Sequence, residues 1–167
     1  MPETPWTSQR LLDELTALGI AYQLHEHPPV YTVEAAREHW AALPGLPVKN
    51  LLLKDASKRM WLVVAPAEEP VDLKALPQRI GSKRLSFANP ADLAATLAVE
   101  GGAVTPLAVV NDSERRVGVV LDASLAGAAL IKLHPLVNTA TLALSGTDTV
   151  RFLMRHHHPP EVMALPR

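Results

Sequence analysis

The sequence contains no cysteine, which excludes disulfide bonds, cysteine-ligated metal sites and cysteine nucleophiles. Aromatic residues make up only 4% of the chain, so it has few of the stacking platforms on which proteins bind single-stranded nucleic acid. No apolar run approaches the roughly 18 residues of a membrane-spanning helix, and the N-terminal segment lacks the apolar stretch of a secretory signal. We therefore expect a cytoplasmic protein without a membrane partner.

The sequence also has no large excess of positive or negative charge. The formal net charge is −1, whereas domains that bind duplex nucleic acid usually carry a basic face. This balance argues against broad duplex binding but permits a few local cations to hold one end of a nucleic acid. With 48% hydrophobic and 20% charged residues in a chain of 167, the composition is that of one globular domain. We predict a single domain over residues 1–167, in which residues 157–167 form a tail.

The predicted helices are indicated mainly by their capping residues. Thr4, followed by a proline, predicts the start of a first helix, and Gly19 predicts its end. Thr32 predicts a second helix that reaches about Trp40. Asn89 predicts the start of a further helix, with a proline in its first position.

Short apolar segments between turn residues predict the strands. Residues 48–55 and 59–66 flank a tight turn, which predicts a hairpin. The segment 101–112 predicts a loop and then a strand, paired with residues 115–122 across the turn between them. Two more strands surround His134. Helices and strands mixed in this way predict an α+β fold with a mixed, largely antiparallel sheet flanked by helices.

Common nucleotide-binding and hydrolase motifs are absent from the sequence. It contains no G-x-G-x-x-G fingerprint, no P-loop and no G-x-S-x-G elbow. A dinucleotide-binding fold and an α/β-hydrolase therefore have no support, and the candidate chemistry lies in less familiar polar residues.

Lys49 and Asn50 stand at the start of the apolar segment "LLLKD". Polar residues in such a position are often only the solvated end of a strand. A lysine there can also hold a phosphate or a carboxylate as a point charge. The residues alone leave both interpretations open.

The segment "GGAVTP", which begins at Gly101, separates a predicted helix from an apolar segment. Glycine permits tight turns and lets another molecule approach the backbone closely. The segment is either an ordinary turn between two elements or a loop whose N–H groups bind a substrate carbonyl oxygen.

His134, Asn138 and Thr141 interrupt two apolar strands. Asn138 and Thr139 suit a turn after Pro135, and a lone histidine near a strand end is more often structural than catalytic. Together, the three polar side chains could instead orient a small polar ligand or a water molecule. A turn and a site both remain possible on these residues alone.

Histidines also occur as the pair His25 and His27 and as the run 156–158. The sequence fixes no acidic or cysteine partner for either group at the spacing of a metal site. We predict no metal site and no cofactor. A metal hydrolase built on these histidines is the alternative, and it would be sensitive to chelators.

Four segments occur together in one order and spacing: "LGIAYQLHEHPPVYTVEAA" at 18–36, "KNLLLKD" at 49–55, "GGAVTPLAVVND" at 101–112 and "HPLVNTAT" at 134–141. In this combination the sequence resembles the YbaK/ProX superfamily of free-standing aminoacyl-tRNA editing domains, from Leu11 to about His156. Within it, the sequence is most similar to the branch that deacylates alanine mischarged on proline tRNA. The resemblance implies a sheet core flanked by helices, like the editing insertion of bacterial prolyl-tRNA synthetases.

The resemblance also implies roles for particular residues. The essential lysine of the family falls on Lys49, which would hold the end of the aminoacylated tRNA. His134 matches a His-Pro-x-x-Asn element as a catalytic or orienting group, and Gly102 would face the aminoacyl ester. Further substrate-binding positions are Asn50, Ala103, Val104, Thr105 and Asn138, together with Tyr31 and Thr32 in the segment that would exclude proline. Lys83 and Arg84 are candidate contacts to the tRNA acceptor stem.

The activity implied by the resemblance is trans-editing hydrolysis of the ester in Ala-tRNA(Pro), assisted by the terminal ribose hydroxyl. Its partners would be the 3′ end and acceptor stem of a mischarged tRNA, and a prolyl-tRNA synthetase is a further candidate. One alternative is a deacylase for cysteine, serine or threonine on tRNA. An alternative from another class is a non-catalytic module that binds tRNA or a synthetase.

Overall fold

The computed structural model describes residues 4–29, 32, 34, 35, 37 and 42–167. In these ranges the helices are α1 (Ser8–Ala17), α2 (Leu76–Ile80), α3 (Pro90–Thr96), α4 (Ala123–Ala126) and α5 (Gly146–Arg155), with 3₁₀ turns at Gly101–Ala103 and Pro106–Asn111. The strands are β1 (Gln23–Glu26), β2 (Leu46–Asp55), β3 (Met60–Pro66), β4 (Leu85–Phe87), β5 (Val117–Asp122), β6 (Ile131–Leu133), β7 (Ala140–Leu144) and β8 (Glu161–Met163). No helix among these is both long enough and apolar enough to cross a membrane.

The eight strands of the described ranges form a mixed sheet in the order β1–β7–β6–β2–β3–β5–β8, and β4 pairs with β2 beside that path. The antiparallel neighbours are β1–β7, β6–β7, β2–β3 and β2–β4. The parallel neighbours are β2–β6, β3–β5 and β5–β8. The predicted α+β class with a mixed, largely antiparallel sheet is confirmed, and so is the hairpin of β2 and β3.

The sheet buries apolar side chains on both of its faces. The larger cluster joins α1, α3 and α5 to the sheet through residues such as Leu15, Leu93 and Phe152. Because successive residues of a strand point to opposite faces, Leu52 of β2 joins this cluster and Leu53 joins a second one, which contains α2. Burial on both faces explains why the central strands are continuous apolar runs rather than alternating ones.

One edge of β2 is only partly paired. The first two residues of β2 pair with β6, and its last three pair with β4. The Ala88 N–H also donates to the Leu52 carbonyl at 2.9 Å. No strand of the described ranges pairs with residues 48–51 on this side, so the two halves of the sheet separate along the middle of β2. We call residues 48–51 the open edge.

The segment 101–112 departs from its prediction. It forms the two 3₁₀ turns, and β5 pairs with β3 and β8 instead of with this segment. Pro106 has no N–H to donate to a strand ladder. Thr105 Oγ1 accepts a hydrogen bond from the Leu107 N–H at 3.3 Å and caps the second turn. The run of apolar residues that predicted a strand is therefore buried in a helical turn.

The first helix begins later than predicted. Thr7, not Thr4, is its N-cap, and Thr7 Oγ1 accepts a hydrogen bond from the Arg10 N–H at 3.1 Å. The Trp6 N–H donates to Asn111 Oδ1 at 2.9 Å. This contact holds the chain outside the helix up to Trp6, so the next residue with a capping hydroxyl starts the helix.

Two other predicted helix starts have different outcomes. The cap at Asn89 is confirmed, because Asn89 Oδ1 accepts from the Asp92 N–H at 2.8 Å and Asp92 Oδ2 accepts from the Asn89 N–H at 3.0 Å. The helix predicted from Thr32 to about Trp40 falls mostly outside the described residues. Thr32 Oγ1 does accept a hydrogen bond from the Ala35 N–H at 3.1 Å.

The predicted tail, residues 157–167, is instead an integral part of the fold. It contains β8, which pairs with β5. Leu165 is buried, and its N–H donates to Asp122 Oδ1 at 3.0 Å. His158 is also buried, with Nε2 at 2.9 Å from Asp112 Oδ2. The prediction was wrong because these partners lie far away in the sequence.

Candidate functional site

Strand register brings Lys49 and His134 to the same side of the sheet. Pro47 of β2 and Lys132 of β6 are the last partners of the parallel ladder between these strands. Lys49 follows Pro47 by two residues on the same strand and so faces the way Lys132 does. His134 lies just beyond the end of β6, with its ring 6.5 Å from that of His27, which bonds Thr141. The same register places Thr141 of β7 on this face, because Lys132 is opposite Ala143. The structure thus gathers distant polar residues beside the open edge.

Lys49 is half-buried and lies opposite Ala65 of β3. Its ammonium has neither a hydrogen-bond nor an ion-pair partner among the described residues. Lys54 of the same strand differs, since its Nζ donates to Asp92 Oδ2 at 2.9 Å. Lys49 is therefore a cation whose charge the described fold does not use.

Asn50 lies on the opposite face of β2 from Lys49. The ladder with β3 runs without interruption from Val48 to Lys54, so the two side chains diverge. The sequence-based expectation placed both in one pocket. The register therefore does not place the two side chains in one pocket on a single face of β2.

Asn50 and Asn138 each have a buried polar atom that finds no hydrogen-bond partner among the described residues. Asn50 Oδ1 is an unmatched acceptor, and Asn138 Nδ2 is an unmatched donor. A buried polar atom without a hydrogen bond costs about 1–3 kcal/mol. Such a cost is common where a ligand supplies the missing partner, and here one acceptor and one donor are available.

His134 is positioned by its own turn. Its Nδ1 donates to the Ala140 carbonyl at 3.0 Å, so this nitrogen carries a proton and Nε2 presents a lone pair when the ring is neutral. Burial lowers the pKa of His134, and His27 lowers it further, against the raising effect of the bond to Ala140. At neutral pH the ring is therefore an uncharged acceptor that is held in one orientation.

The glycine loop is more structured than expected. Ala103 is buried and its N–H donates to the Glu100 carbonyl at 2.9 Å. Thr105 is fully buried, with its hydroxyl engaged in capping. Gly102 and Val104 are half-buried. Of the loop positions predicted to contact substrate, these two are the more accessible.

Lys83 and Arg84 are exposed and lie at the far end of β2 from the open edge. The Lys83 N–H donates to Asp55 Oδ2 at 3.1 Å, and the Arg84 carbonyl accepts from the Ala56 N–H at 3.1 Å. Burial raises the pKa of Asp55, but its hydrogen bonds, the first from Ser57, outweigh this and the pKa is lowered. A charged Asp55 thus fixes the backbone that presents the two cations.

Of the two residues expected to exclude proline, Tyr31 lies outside the described residues. Thr32 is exposed, and its hydroxyl accepts the hydrogen bond from Ala35.

A sequence profile for the aminoacyl-tRNA editing domain matches residues 27–152 of the chain. The chain belongs to this family. The "Prolyl-tRNA editing protein ProX" of Acetoanaerobium sticklandii is 42% identical to this editing domain over 141 residues, which are 84% of the chain and 86% of that protein. The "Prolyl-tRNA synthetase associated domain-containing protein 1" of Danio rerio is 38% identical over 158 residues, which are 93% of the chain and 86% of that protein.

A solved structure described as a candidate trans-editing enzyme for prolyl-tRNA synthetase shares the fold of this editing domain. The TM-score is 0.73 at 18% sequence identity, with 98% of the chain and 99% of that structure covered. The predicted resemblance to the YbaK/ProX superfamily is confirmed. Lys49, the glycine loop and His134 all lie within the residues matched by the family profile.

Two polar residues of the editing domain near this site were not predicted to belong to it. Lys132 is only 7% exposed, and burial lowers its pKa. His27 donates from Nδ1 to the Pro28 carbonyl and bonds Thr141 Oγ1 through Nε2, both at 2.8 Å, with its ring 6.5 Å from that of His134. A lysine inside the apolar run "LIKLHP" is the signal that could have identified Lys132. Among the described residues, no group of three histidines or acidic residues could hold a metal ion.

Proposed function

We propose that this editing domain hydrolyses the ester of alanine mischarged on proline tRNA. The observation that carries the proposal is the acceptor of Asn50 and the donor of Asn138 that find no partner within the described residues, close in sequence to Lys49 and His134 respectively. An aminoacyl ester has the complementary groups. Its α-ammonium donates hydrogen bonds, while its carbonyl and the neighbouring ribose hydroxyl accept them.

In this proposal the nucleophile is water, because the chain has no cysteine and no G-x-S-x-G elbow that would present a serine to form an acyl-enzyme. The water oxygen attacks the ester carbonyl carbon, and the bond from that carbon to the ribose oxygen breaks. The ribose oxygen takes up a proton, and the products are the free amino acid and the intact tRNA. The adjacent ribose hydroxyl assists by guiding the water.

Each residue of the site has a separate role in the proposed reaction. Lys49 supplies positive charge at the terminal phosphate or at the ester carbonyl. Backbone N–H groups of the loop around Gly102 and Val104 stabilise the oxyanion, since the Ala103 N–H is already engaged. His134, with its lone pair on Nε2, orients the ribose or the water.

Selectivity for alanine would come from pocket size. A synthetase site built for proline rejects the smaller alanine poorly, because each missing methylene costs only about 1–3 kcal/mol. A second site that admits alanine and excludes proline corrects this. We assign the excluding wall to the segment that contains Tyr31 and Thr32. The names of the relatives also make a prolyl-tRNA synthetase a candidate partner.

A panel of aminoacylated tRNAs tests the substrate assignment. We expect fast release of alanine from proline tRNA, and at least tenfold slower release of proline, cysteine, serine and threonine. The readout is the rate of deacylation by the purified protein under single-turnover conditions. Faster hydrolysis of a cysteine, serine or threonine ester would reassign the substrate. Tight tRNA binding without hydrolysis of any ester would identify a binding module instead.

Charge reversal at Arg84 is expected to weaken the use of tRNA. Arg84→Glu should lower kcat/KM for the mischarged tRNA. It should also reduce the slope of log(kcat/KM) against the logarithm of the salt concentration by the equivalent of about one to two phosphate contacts. The matched control is Arg155→Glu, which makes the same charge change at an exposed residue in the last turn of α5. Equal salt slopes for wild type and Arg84→Glu would exclude a phosphate contact at this residue.

A further inference from the structure

Phe87 is the most exposed large hydrophobic residue in the described part of the chain. Its exposed fraction is 63%, whereas Phe152 and Trp61 are buried. A single exposed apolar side chain is common on protein surfaces and needs no special explanation. Phe87 is of interest because it lies next to the open edge, where the proposed substrate would bind.

Strand register places Phe87 on the same face as Lys49. Phe87 of β4 lies opposite Leu53 of β2, and cross-strand partners point to the same face. Positions 49, 51 and 53 of β2 share that face by alternation. Leu53 and Lys49 are four positions apart along β2, which is about 13 Å at the rise of a β-strand. Phe87 therefore borders the open edge at the end away from His134.

Two positively charged residues directly precede β4, the strand that contains Phe87. Lys83 and Arg84 are exposed, and they precede Phe87 by only a few residues. The Lys54 ammonium is not part of this group, since it pairs with Asp92. A positively charged track combined with an exposed aromatic ring is the arrangement that binds single-stranded nucleic acid, because bases stack on the ring while cations contact the phosphates.

We propose that Phe87 is a stacking platform for a base in the unpaired 3′ end of the tRNA, upstream of the terminal adenosine. The inference rests on the proposed function, which puts the terminal ester at Lys49. The separation of about 13 Å corresponds to a few nucleotide steps, since stacked bases rise by about 3.4 Å. Lys83 and Arg84 then contact the backbone on the acceptor-stem side of Phe87.

The proposed contact has a defined chemical character. Every base has a π-face, so stacking on Phe87 contributes affinity and position with little preference for base identity. Phe87 is a positioning residue and takes no part in the bond-breaking step. Its loss should therefore act on KM for the whole tRNA and leave the reaction of a short substrate unchanged.

The test combines two substrates and two variants. Phe87→Ala should raise KM for mischarged tRNA about tenfold with little change in kcat, since removing one stacking partner has about this effect. It should not change hydrolysis of the alanyl ester of adenosine, which has no upstream base. Phe87→Trp should retain normal KM. On addition of uncharged proline tRNA, its fluorescence should be quenched more than that of the wild type.

The matched control is Met154→Ala, which removes a side chain with a similar exposed fraction of 60% on α5. Unchanged KM in Phe87→Ala together with no extra quenching in Phe87→Trp would overturn the inference. An equal loss on the adenosine ester would also overturn it, by pointing to a pocket or folding role. A third outcome separates the two proposals. If tRNA quenches the fluorescence of Phe87→Trp but the wild type hydrolyses no ester, the stacking role of Phe87 is supported and the proposed deacylase activity is refuted.

Discussion

Replacing Lys49 with alanine is expected to reduce the hydrolysis of mischarged tRNA at least about a hundredfold, as removal of one preorganised electrostatic group at a reacting centre commonly does. The fold should persist, because the Lys49 ammonium makes no hydrogen bond or ion pair within the described residues. Single-turnover deacylation measures the first effect, and thermal unfolding measures the second. Lys49 therefore separates function from stability more cleanly than a buried polar residue would.

Two further variants at β2 sharpen this prediction. Lys54→Met is the control, because Lys54 lies on the same strand but its ammonium is bound to Asp92. It should lower the free energy of unfolding by up to about 1 kcal/mol and leave turnover near normal. Lys49→Arg keeps the charge but changes its geometry, so we expect partial activity. Normal turnover in Lys49→Ala would remove Lys49 from the mechanism.

The parts of the fold that were predicted correctly depend on local chemistry. The hairpin of β2 and β3 follows from two apolar segments and a turn in which Asp55 Oδ1 binds the N–H groups of Ser57 and Arg59. The helix cap at Asn89 follows from its side chain and from Asp92. In both cases the residues that determine the structure lie within a few positions of one another.

Two incorrect predictions concern segments whose structure does not follow from the pattern of their apolar residues alone. The C-terminal segment was predicted as a tail because nothing within it shows that Leu165 binds Asp122 or that His158 binds Asp112. The segment 106–111 is apolar throughout, and its burial on several sides has the same sequence signature as a core strand. Contacts over long sequence separations decided the first outcome, whereas in the second the Thr105 cap and Pro106 form a helical turn within a segment whose apolar run predicted a strand.

The candidate site was predictable as a set of residues but not as a geometry. The opposite directions of Lys49 and Asn50 follow from strand alternation alone. Their relation to His134 does not, because it requires the parallel pairing of β2 with β6. Parallel pairing leaves no turn signal in the sequence, and so the open edge could not be predicted either.

Removing the carboxylate of Asp112 is the second large expected effect, and it acts on stability. Asp112 and His158 have side chains only 2% and 3% exposed, joined at 2.9 Å. Asp112 also accepts from the N–H groups of Arg116 and Val117. His158 Nδ1 lies 2.7 Å from the His156 carbonyl, so both ring nitrogens face acceptors. Asp112 and His158 therefore form a buried hydrogen-bonded pair that joins the start of the C-terminal segment to the core.

Asp112→Ala should therefore lower the free energy of unfolding by about 3–5 kcal/mol, because it leaves the His158 ring and two backbone N–H groups buried without their acceptor, at about 1–3 kcal/mol each. This is a large share of the stability of a domain, about 5–15 kcal/mol. Urea unfolding at neutral pH measures the change. Asp13→Ala is the control, since Asp13 is exposed and, among the described residues, bonds only Gln9, and it should cost less than about 0.5 kcal/mol. Similar values for the two variants would show that the pair does not hold the C-terminal strand.

The acid dependence of stability tests the same pair in Asp112→Asn. Burial alone would raise the pKa of Asp112, but the hydrogen bonds from His158, Arg116 and Val117 outweigh it, and the pKa is lowered from 3.8. The unfolded chain then binds a proton more readily than the folded one, so this carboxylate stabilises the fold above pH 3.8 and its contribution falls as the pH drops below that value. The stability difference between wild type and Asp112→Asn should shrink as the pH falls from about 5 towards 3. A difference that grows over this acid range would mean that Asp112 enters the folded state protonated, and the assignment of a charged Asp112 would fail.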